Sequence, residues 1–477
     1  MAHVNRGWTL FIVSVGLFMV VLDNLVVSVA LPSIRSDLGA SIQALEWTVN
    51  AYVLSYAVLL LTGAALGDRF GRRRMFMLGI SVFTLASAAG ALAPSSGLLI
   101  AARAVQGVGA AIATPLTLTL LAEAFPGDKR GLALGVWSGI SGMAVAIGPL
   151  VGGGVVELGS WHWIFWINVP IGLVLVPLAW GKLAESHGPN GSLDLAGLAL
   201  GSGGLLGLVY GLVRAQSAGW GDAVVIGALA LGVAFLAGFV AWELRAREPM
   251  LPMQFFARRS FSVTNVVSLS MYFGMFGSIF FLSQFMQTVL GNSPWEAGLK
   301  LLVWTGATML VAPAAGVFSE RYGSRLFMVA GLSLQAAALG WIALLASTDT
   351  SYSSLLAPFI LGGAGMALVF APSANAVLSS VRVDQAGQAS GANNAIRETG
   401  GVFGVAVLAT VFTGAGSYST PQTFVNGLVP ALWVGAGVLA AGALTAVLLP
   451  FGRRSEAGAE PQAAQASLGD RAVAEAA

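Results

Sequence analysis

Residues 57–74 read AVLLLTGAALGDRFGRRR, an apolar run that ends in a compact charged turn. The run 57–66 is apolar on every face of a helix, which is typical of a segment that crosses a bilayer. A spanning helix needs roughly 20 predominantly apolar residues, and this criterion predicts fourteen spans along the chain. They lie at 8–31, 46–66, 75–94, 98–121, 131–156, 161–181, 195–214, 222–242, 261–287, 296–318, 326–346, 353–378, 393–414 and 427–450.

The composition indicates a chain that lies in lipid. Hydrophobic residues make up 56% of it and charged residues only 9%, with a mean hydropathy of +0.82. This leaves too few polar side chains to cover a water-soluble protein of 477 residues. A membrane β-barrel would alternate apolar and polar residues along each strand, whereas residues 57–66 and 434–449 are apolar on every face. The sequence therefore predicts an all-α polytopic membrane protein.

Positive charges determine the predicted orientation. Cytoplasmic loops are enriched in Lys and Arg, and most of the 23 Lys and Arg residues fall in the even-numbered loops and the two tails. Only Arg35 and Arg214 fall in the other loops, while Arg103, Lys300 and Arg397 lie within or at the edge of spans. We therefore expect both termini in the cytoplasm. The net charge of +2 reflects this asymmetry, and the sequence has no basic face of the kind that binds nucleic acid.

The charged turn recurs in the second half of the chain. Residues 316–325, GVFSERYGSR, repeat its pattern with Glu320 in the place of Asp68. Parallel repeats are a common plan of transporters. Aligning the glycines of spans 4 and 12 also places Phe359 opposite Arg103, so we expect a buried arginine in the first half only. The repeat predicts a six-helix bundle at 1–181, a linker with two additional spans at 182–260, a second six-helix bundle at 261–452 and a disordered cytoplasmic tail at 453–477.

Five stretches of the sequence carry a specific pattern. They are the charged turn, Leu99–Ala111 in span 4, Gly148–Gly153 in span 5, Leu22–Pro32 in span 1 and Trp161–Gly172 at the start of span 6. Together they resemble the major facilitator superfamily and, within it, the fourteen-helix drug:proton antiporters. Alanine stands at 64 and 144 where that family usually has glycine. The resemblance implies two six-helix bundles that rock about a cavity at the middle of the membrane.

The charged turn is predicted to form a cytoplasmic gate through Asp68, Arg69, Gly71 and Arg73. We expect Asp68 to accept hydrogen bonds from the first amides of span 3, and Arg69 or Arg73 to pair with a neighbouring helix. Such a contact would hold one side of the protein closed. The alternative is ordinary cytoplasmic positive charge, which accounts for the other two arginines of the turn.

Asp23 and Arg103 are the residues predicted for proton coupling. A carboxylate well inside span 1 costs on the order of 3 kcal/mol, and Arg103 stays charged, so it can tune the proton affinity of Asp23 without titrating itself. The alternative for Asp23 is that it is a static partner of Asn24 or Arg103. The alternative for Arg103 is that it is a structural tether to backbone carbonyls. Glu398, beside Arg397 near the end of span 13, is expected to be solvated or to pair with its neighbour.

Gly148, Pro149, Gly152 and Gly153 form the motif that, by resemblance, marks antiport. Glycine removes side chains and proline breaks the hydrogen-bond ladder of a helix, which allows a bend and close packing against a neighbour. Tight packing there would also oppose proton leak. The alternative is generic packing of small residues.

Tyr272, Phe276, Phe280 and Gln284 recur at four-residue intervals in span 9 and therefore share one helix face. Aromatic surface suits a large, apolar and variable ligand, and a stripe that faces lipid is the alternative. Further candidates for the substrate cavity are Asn24, Asn50, Tyr52, Asn375 and Asn394.

Several function classes lack support in the sequence. There is no Gly-x-x-x-x-Gly-Lys-Ser/Thr loop, so we do not expect ATP to drive the protein. There is no cysteine, no metal-ligand spacing and no converging catalytic cluster, so we expect neither an enzyme nor a metal or cofactor. We predict a monomeric proton-coupled antiporter of the cell membrane that exports bulky hydrophobic drugs or antibiotics. The alternatives are an exporter of a lipid or endogenous metabolite, a proton-coupled solute symporter and a ligand sensor.

Overall fold

The structure, a computed structural model, describes residues 6–125, 129–188, 194–382 and 385–450. Within these ranges all regular structure is helical, which confirms the predicted all-α class. The predicted tail at 453–477 lies outside the described residues. The helices are α1 Arg6–Leu38, α2 Ile42–Phe70, α3 Arg72–Ala91, α4 Ser96–Ala124, α5 Arg130–Leu158, α6 Trp163–Trp166, α7 Asn168–Lys182, α8 Leu195–Ala218, α9 Ala223–Glu243, α10 Gln254–Ala257, α11 Arg259–Gln284, α12 Pro294–Tyr322, α13 Ser324–Leu345, α14 Tyr352–Ser379, α15 Ala386–Ala415 and α16 Pro421–Ala446.

Among the described residues, 13 stretches are long and apolar enough to cross a membrane. Each coincides with a predicted span, and α6 and α7 together form one of them, Trp163–Lys182. The remaining predicted span, 131–156, is the helix α5. A total of fourteen spans therefore stays a prediction.

Two helices begin well before the predicted starts of their spans. α16 begins at Pro421 instead of 427, because Thr420 and Thr423 exchange hydrogen bonds between side chain and backbone that cap its first turn. α15 begins at Ala386 instead of 393, and its first residues, AGQASGA, are small or polar. Hydropathy identifies apolar residues and misses helical turns of this kind, which packing and capping hold in place.

Glycine allows α3 and α4 to approach each other closely. A Cβ atom added to Gly109 would lie 2.6 Å from the backbone nitrogen of Phe83, and one added to Gly79 would lie 2.8 Å from the carbonyl oxygen of Gly109. Any side chain at either position would force the helices apart. Small residues that permit such approach are typical of helix pairs in membranes.

Two long helix pairs join the halves of the molecule. α5 packs along α12, and α2 packs along α15. Near the start of α5, a Cβ atom added to Gly131 would lie 2.5 Å from the carbonyl oxygen of Gly316. The boundaries predicted at 181 and 260 stay a prediction, but the halves meet along these pairs.

The helices α8 and α9 pack against each other, and α8 also contacts α2 and α15. Thr62 and Ser202 share a hydrogen bond of 3.1 Å, and the rings of Trp47 and Tyr210 stack with centroids 6.3 Å apart. The additional pair of helices therefore lies beside one of the two seams between the halves.

Candidate functional site

A buried ion pair joins α1 to α4. Asp23 and Arg103 are both buried, and Arg103 Nη1 contacts Asp23 Oδ2 directly. Both residues lie in stretches that can span the membrane, where a lone charge is costly and a paired one is tolerated. The structure thus brings together the two residues that the sequence suggests for proton coupling, and that role stays a prediction.

Amide side chains complete the hydrogen bonding of Asp23. Gln106 Nε2 donates to Asp23 Oδ1 at 2.9 Å, and Asn168 Nδ2 donates to the same oxygen at 2.7 Å. Gln106 also donates to Ser87 Oγ at 2.6 Å and accepts from Arg103 Nη1 at 2.8 Å. Asp23 therefore accepts hydrogen bonds on both oxygens, as an ionised carboxylate does.

Aromatic rings and a backbone carbonyl hold the guanidinium of Arg103. Its central carbon lies 4.3 Å from the ring centroid of Tyr52 and 5.9 Å from that of Phe165. Arg103 Nε donates to the carbonyl oxygen of Thr48 at 3.1 Å. The geometry includes a tether to the backbone as well as the carboxylate pair, so it supports both interpretations of this arginine.

Sequence reasoning missed part of this cluster. Gln106 lies in the stretch Leu99–Ala111 of span 4, but the sequence assigns no role to it. Ser87 and Asn168 are not among the predicted site residues. The available signal was an isolated polar residue inside a span, because buried polar groups in lipid must find hydrogen-bond partners.

The charged turn between α2 and α3 centres on Arg72. This buried side chain donates from Nε to Asp68 Oδ1 at 2.8 Å and also pairs with Glu123 at the end of α4. Of the two residues expected to pair with a neighbouring helix, Arg73 does so, since its Nη1 donates to the Trp180 carbonyl of α7 at 3.3 Å. Arg69 is exposed and lies over the ring of Phe70 at 5.2 Å. Arg72 is the first residue of α3 and Asp68 lies near the end of α2, so this ion pair joins the two helices across the turn at Gly71.

The segment that follows α7 covers the charged turn. Arg73 Nη1 donates to the carbonyl oxygen of Leu183 at 3.2 Å, and Arg73 Nε lies 3.6 Å from a carboxylate oxygen of Glu185. The first amides of α3 donate to the same segment, from Arg72 to the Ser186 carbonyl at 2.9 Å and from Arg73 to Glu185 at 2.9 Å. These two amides therefore do not cap onto Asp68, contrary to the prediction.

Gly71 links α2 to α3 with a φ of 104°, which glycine adopts readily. A Cβ atom there would lie 2.8 Å from the carboxyl carbon of Glu185. The predicted importance of Gly71 thus has a structural basis in both conformation and space.

Each charged turn reaches across to the first turn of a helix in the other half. A Cβ atom added to Gly387 of α15 would lie 2.6 Å from Asp68 Cγ. The repeat of the turn makes the equivalent contact, since Gly131 of α5 donates its amide to Glu320 Oε1 at 2.5 Å. Carboxylates are stabilised at helix N-termini, so both turns hold the halves together on one side of the molecule.

A central cavity of about 40 Å³ lies between the halves. It is far smaller than the 300–1,000 Å³ typical of drug sites, so a substrate would enter only after the halves separate. Its lining residues are Leu17, Val20, Val21, Asn24, Leu25, Tyr52, Tyr56, Thr114, Ser141, Tyr272, Met275, Phe276, Met366, Phe370, Arg397 and Glu398.

Four predicted cavity residues, Asn24, Tyr52, Tyr272 and Phe276, belong to this lining. The others lie elsewhere in the described residues. Phe280 is 44% exposed and packs edge-on against Phe281, so the helix face that begins at Tyr272 turns away from the cavity. Asn50 and Gln284 are partly buried, and Asn375 and Asn394 are buried within α14 and α15.

Arg397 and Glu398 lie deeper than the sequence suggested. Because α15 begins at Ala386, Arg397 lies about 16 Å along the helix from its start. The expectation that Glu398 lies near a span end is therefore wrong, and among the described residues no ion pair joins it to Arg397. The second half also has its own buried arginine, contrary to the prediction from the aligned glycines.

The predicted antiport motif lies where α5 meets α1. A Cβ atom added to Gly148 would lie 2.7 Å from Leu25 Cβ, and Gly152 and Gly153 are buried. α5 continues as a helix through Pro149 to Leu158. Beyond the motif is a larger apolar cavity of about 980 Å³, which Trp163, Trp166 and Trp295 help to line.

Known proteins resemble this chain in sequence and in fold. The model of the Major Facilitator Superfamily matches residues 13–405. The tetracenomycin C resistance and export protein of Streptomyces glaucescens is 38% identical over 408 residues, which cover 85% of this chain and 76% of that protein. The cephamycin export protein CmcT of Amycolatopsis lactamdurans is 38% identical over 449 residues, which cover 92% of each. The crystal structure of the human organic anion transporter MFSD10 (TETRAN) has a TM-score of 0.70 at 14% identity, over 93% of this chain and 99% of that one.

Proposed function

The chain belongs to the major facilitator superfamily, and we propose that it exports a small, largely hydrophobic antibiotic or drug in exchange for protons. It is a multi-pass membrane protein and a transporter, not an enzyme. Two relatives are named as export proteins for tetracenomycin C and cephamycin, and these names support an antibiotic substrate. We further propose that it works as a monomer in the cytoplasmic membrane with both termini in the cytoplasm.

The observation that carries this proposal is the ion pair of Asp23 and Arg103 at the wall of the central cavity. Asn24, next to Asp23, lines the cavity, and so does Tyr52, over whose ring Arg103 lies. A proton on Asp23 cancels its attraction to Arg103. Breaking a buried ion pair costs about 3–5 kcal/mol, and one charge crossing a potential of 100 mV releases about 2.3 kcal/mol. The two energies are similar, so proton entry can reset this contact.

The contacts between the halves support alternating access. Asp68 against Gly387, Glu320 against Gly131, and the hydrogen bond of 3.0 Å from Ser390 Oγ to the carbonyl oxygen of Pro115 all lie on the side that the charge pattern assigns to the cytoplasm. In the proposed cycle these contacts separate when the substrate enters and form again before it leaves.

Proton movement driven by substrate tests the proposal. The protein is reconstituted into liposomes that contain a pH-sensitive dye, and tetracenomycin C, a cephamycin or ethidium is added outside. We expect each transported compound to drive protons in the opposite direction. Asp23→Asn should abolish this movement while equilibrium binding of the substrate persists, because the amide keeps the shape of the side chain and cannot carry the proton.

Asp349→Asn is the matched control, because Asp349 is an exposed carboxylate between α13 and α14. It should leave proton movement at the level of the wild type. Coupled flux that survives in Asp23→Asn would assign the coupling to another group. Substrate transport without any proton movement in the wild type would reject antiport itself.

A further inference from the structure

The central cavity contains an arginine, Arg397, that forms no ion pair with any carboxylate of the described residues. Arg397 is 4% exposed, lines the cavity, and has no hydrogen-bond acceptor for its Nε among the described residues. None of the ion pairs within the described ranges includes it. Its guanidinium carbon lies 4.8 Å from the ring centroid of Tyr272 and 5.1 Å from that of Phe370.

Arg103 provides the comparison within the same molecule. Both arginines are buried in the membrane and both lie over two aromatic rings. Arg103 has Asp23 as its carboxylate, held in place by Gln106, whereas Arg397 lines the cavity. A buried arginine keeps its charge and presents a planar fork that fits a carboxylate or another paired oxygen acceptor.

We propose that Arg397 is the substrate-binding cation of the cavity, and that the substrate is an aromatic organic anion whose carboxylate or phenolate pairs with it. This inference rests on the proposed function of the same cavity. Tyr56, Tyr272, Phe276 and Phe370 also line the cavity, and their rings suit a planar aromatic body. The substrate thus supplies to Arg397 the anion that Asp23 supplies to Arg103.

Glu398 lines the same cavity and is the alternative binding group, for a cationic substrate. A carboxylate in an apolar site can neutralise itself by taking up a proton, whereas an arginine retains its charge. The permanent charge of the cavity is therefore positive. Glu398 repels an anion at Arg397 only while it is ionised, so its replacement by glutamine should not weaken binding of that anion.

Three probes with the same ring system test this assignment: 9-anthracenecarboxylate, 9-anthracenemethanol and 9-(aminomethyl)anthracene. Binding to the full-length protein in nanodiscs is measured by the fluorescence of the probes. We expect the wild type to bind the carboxylate at least ten times more tightly than the amine. Arg397→Gln should weaken the carboxylate at least tenfold and leave the neutral alcohol within twofold. The affinity of Arg397→Lys for the carboxylate should lie between those of the wild type and Arg397→Gln, because lysine keeps the charge and loses the planar fork.

Arg35→Gln is the matched control, because Arg35 is exposed at the end of α1. Arg35→Gln should change none of the three affinities, and Glu398→Gln should not lower the affinity for the carboxylate. The proposal is overturned if Arg397→Gln weakens all three probes equally, if the wild type prefers the amine, or if the carboxylate does not bind. Proton movement is measured separately with the neutral alcohol and ethidium, so a failure of antiport is distinguished from a failure of anion recognition.

Discussion

Replacing Gly387 by alanine should open the cytoplasmic side of the protein. The added Cβ atom would lie 2.6 Å from Asp68 Cγ, whereas carbon atoms in contact are normally about 3.5–4.0 Å apart. Asp68 cannot turn away freely, because its carboxylate pairs with Arg72 and its carbonyl oxygen accepts from Gly188 at 2.8 Å. The closed arrangement must therefore distort, while an arrangement with separated halves is unaffected.

The size of the effect follows from the cost of overpacking, which is typically about 1–3 kcal/mol. Alanine also favours helix over glycine by about 1 kcal/mol, but α15 is present in both arrangements, so this gain cancels in their ratio. The open population should therefore rise by about 5- to 150-fold, since 1.4 kcal/mol corresponds to a factor of ten.

Because the chain contains no cysteine, one introduced thiol reports on this change. Ser390→Cys places it in the buried cytoplasmic contact between the halves, where a membrane-impermeant maleimide reacts only after opening. We compare the labelling rate in inverted vesicles between Ser390→Cys alone and Ser390→Cys with Gly387→Ala. The rate should rise by the factor given above.

Gly414→Ala is the control on the same helix, because nothing lies within 4 Å of a Cβ atom added there. It should leave the labelling rate within twofold of the reference. An unchanged rate in Gly387→Ala, or an equal rise in Gly414→Ala, would refute the inference that contact with Asp68 holds the cytoplasmic side closed.

Three further predictions follow from other contacts. Arg72→Lys loses the fork shared with Asp68 and Glu123 and should raise the labelling of the same cysteine, whereas Arg74→Lys, at an exposed position, should not. Gln106→Leu removes the donor to Asp23 and should lower the free energy of unfolding by about 1–3 kcal/mol, measured by denaturation in mixed micelles beside the exposed control Gln422→Leu. At the start of α9, the amides of Val225 and Val224 and the side chain of Arg214 lower the pKa of Asp222. The contribution of Asp222 to stability is therefore fully present above its ordinary pKa of about 3.9, and it is lost as the pH falls through the lower pKa of the folded state. At pH 7, the amides of Val224 and Val225 should exchange hydrogen faster in Asp222→Ala than in the wild type. In strong acid the two exchange rates should converge.

The sequence was sufficient to identify Asp23 and Arg103 as charged residues within apolar spans, because placing a charge there is costly and therefore informative. It was insufficient for Arg72. Three consecutive arginines follow Gly71, and because the chain changes direction at Gly71 between α2 and α3, helical spacing from Asp68 does not show which of them turns inward. The expectation that Asp68 caps α3 failed because the segment after α7, far away in sequence, supplies the acceptors for the first amides.

The depth of Arg397 was not accessible from hydropathy. The seven residues from Ala386 to Ala392 contain glycine, glutamine and serine, so an apolar window begins too late to include them. The helix extends through them because Gly387 and Gly391 let α15 pack against α2. A contact between distant elements therefore determines that Arg397 and Glu398 line the cavity instead of lying near water.

The two buried arginines suggest how proton and substrate could be coupled. Tyr52 forms part of the cavity wall and lies under Arg103, while Tyr272 forms the facing wall and lies under Arg397. When Asp23 is protonated, Arg103 loses its carboxylate partner, which changes the charge beside the part of the cavity that Tyr52 lines. A substrate held by Arg397 and a proton held by Asp23 then act on the same cavity from opposite halves of the protein. We therefore expect Asp23→Asn, which imitates the protonated state, to change the affinity for 9-anthracenecarboxylate, and Arg397→Gln to remove that change.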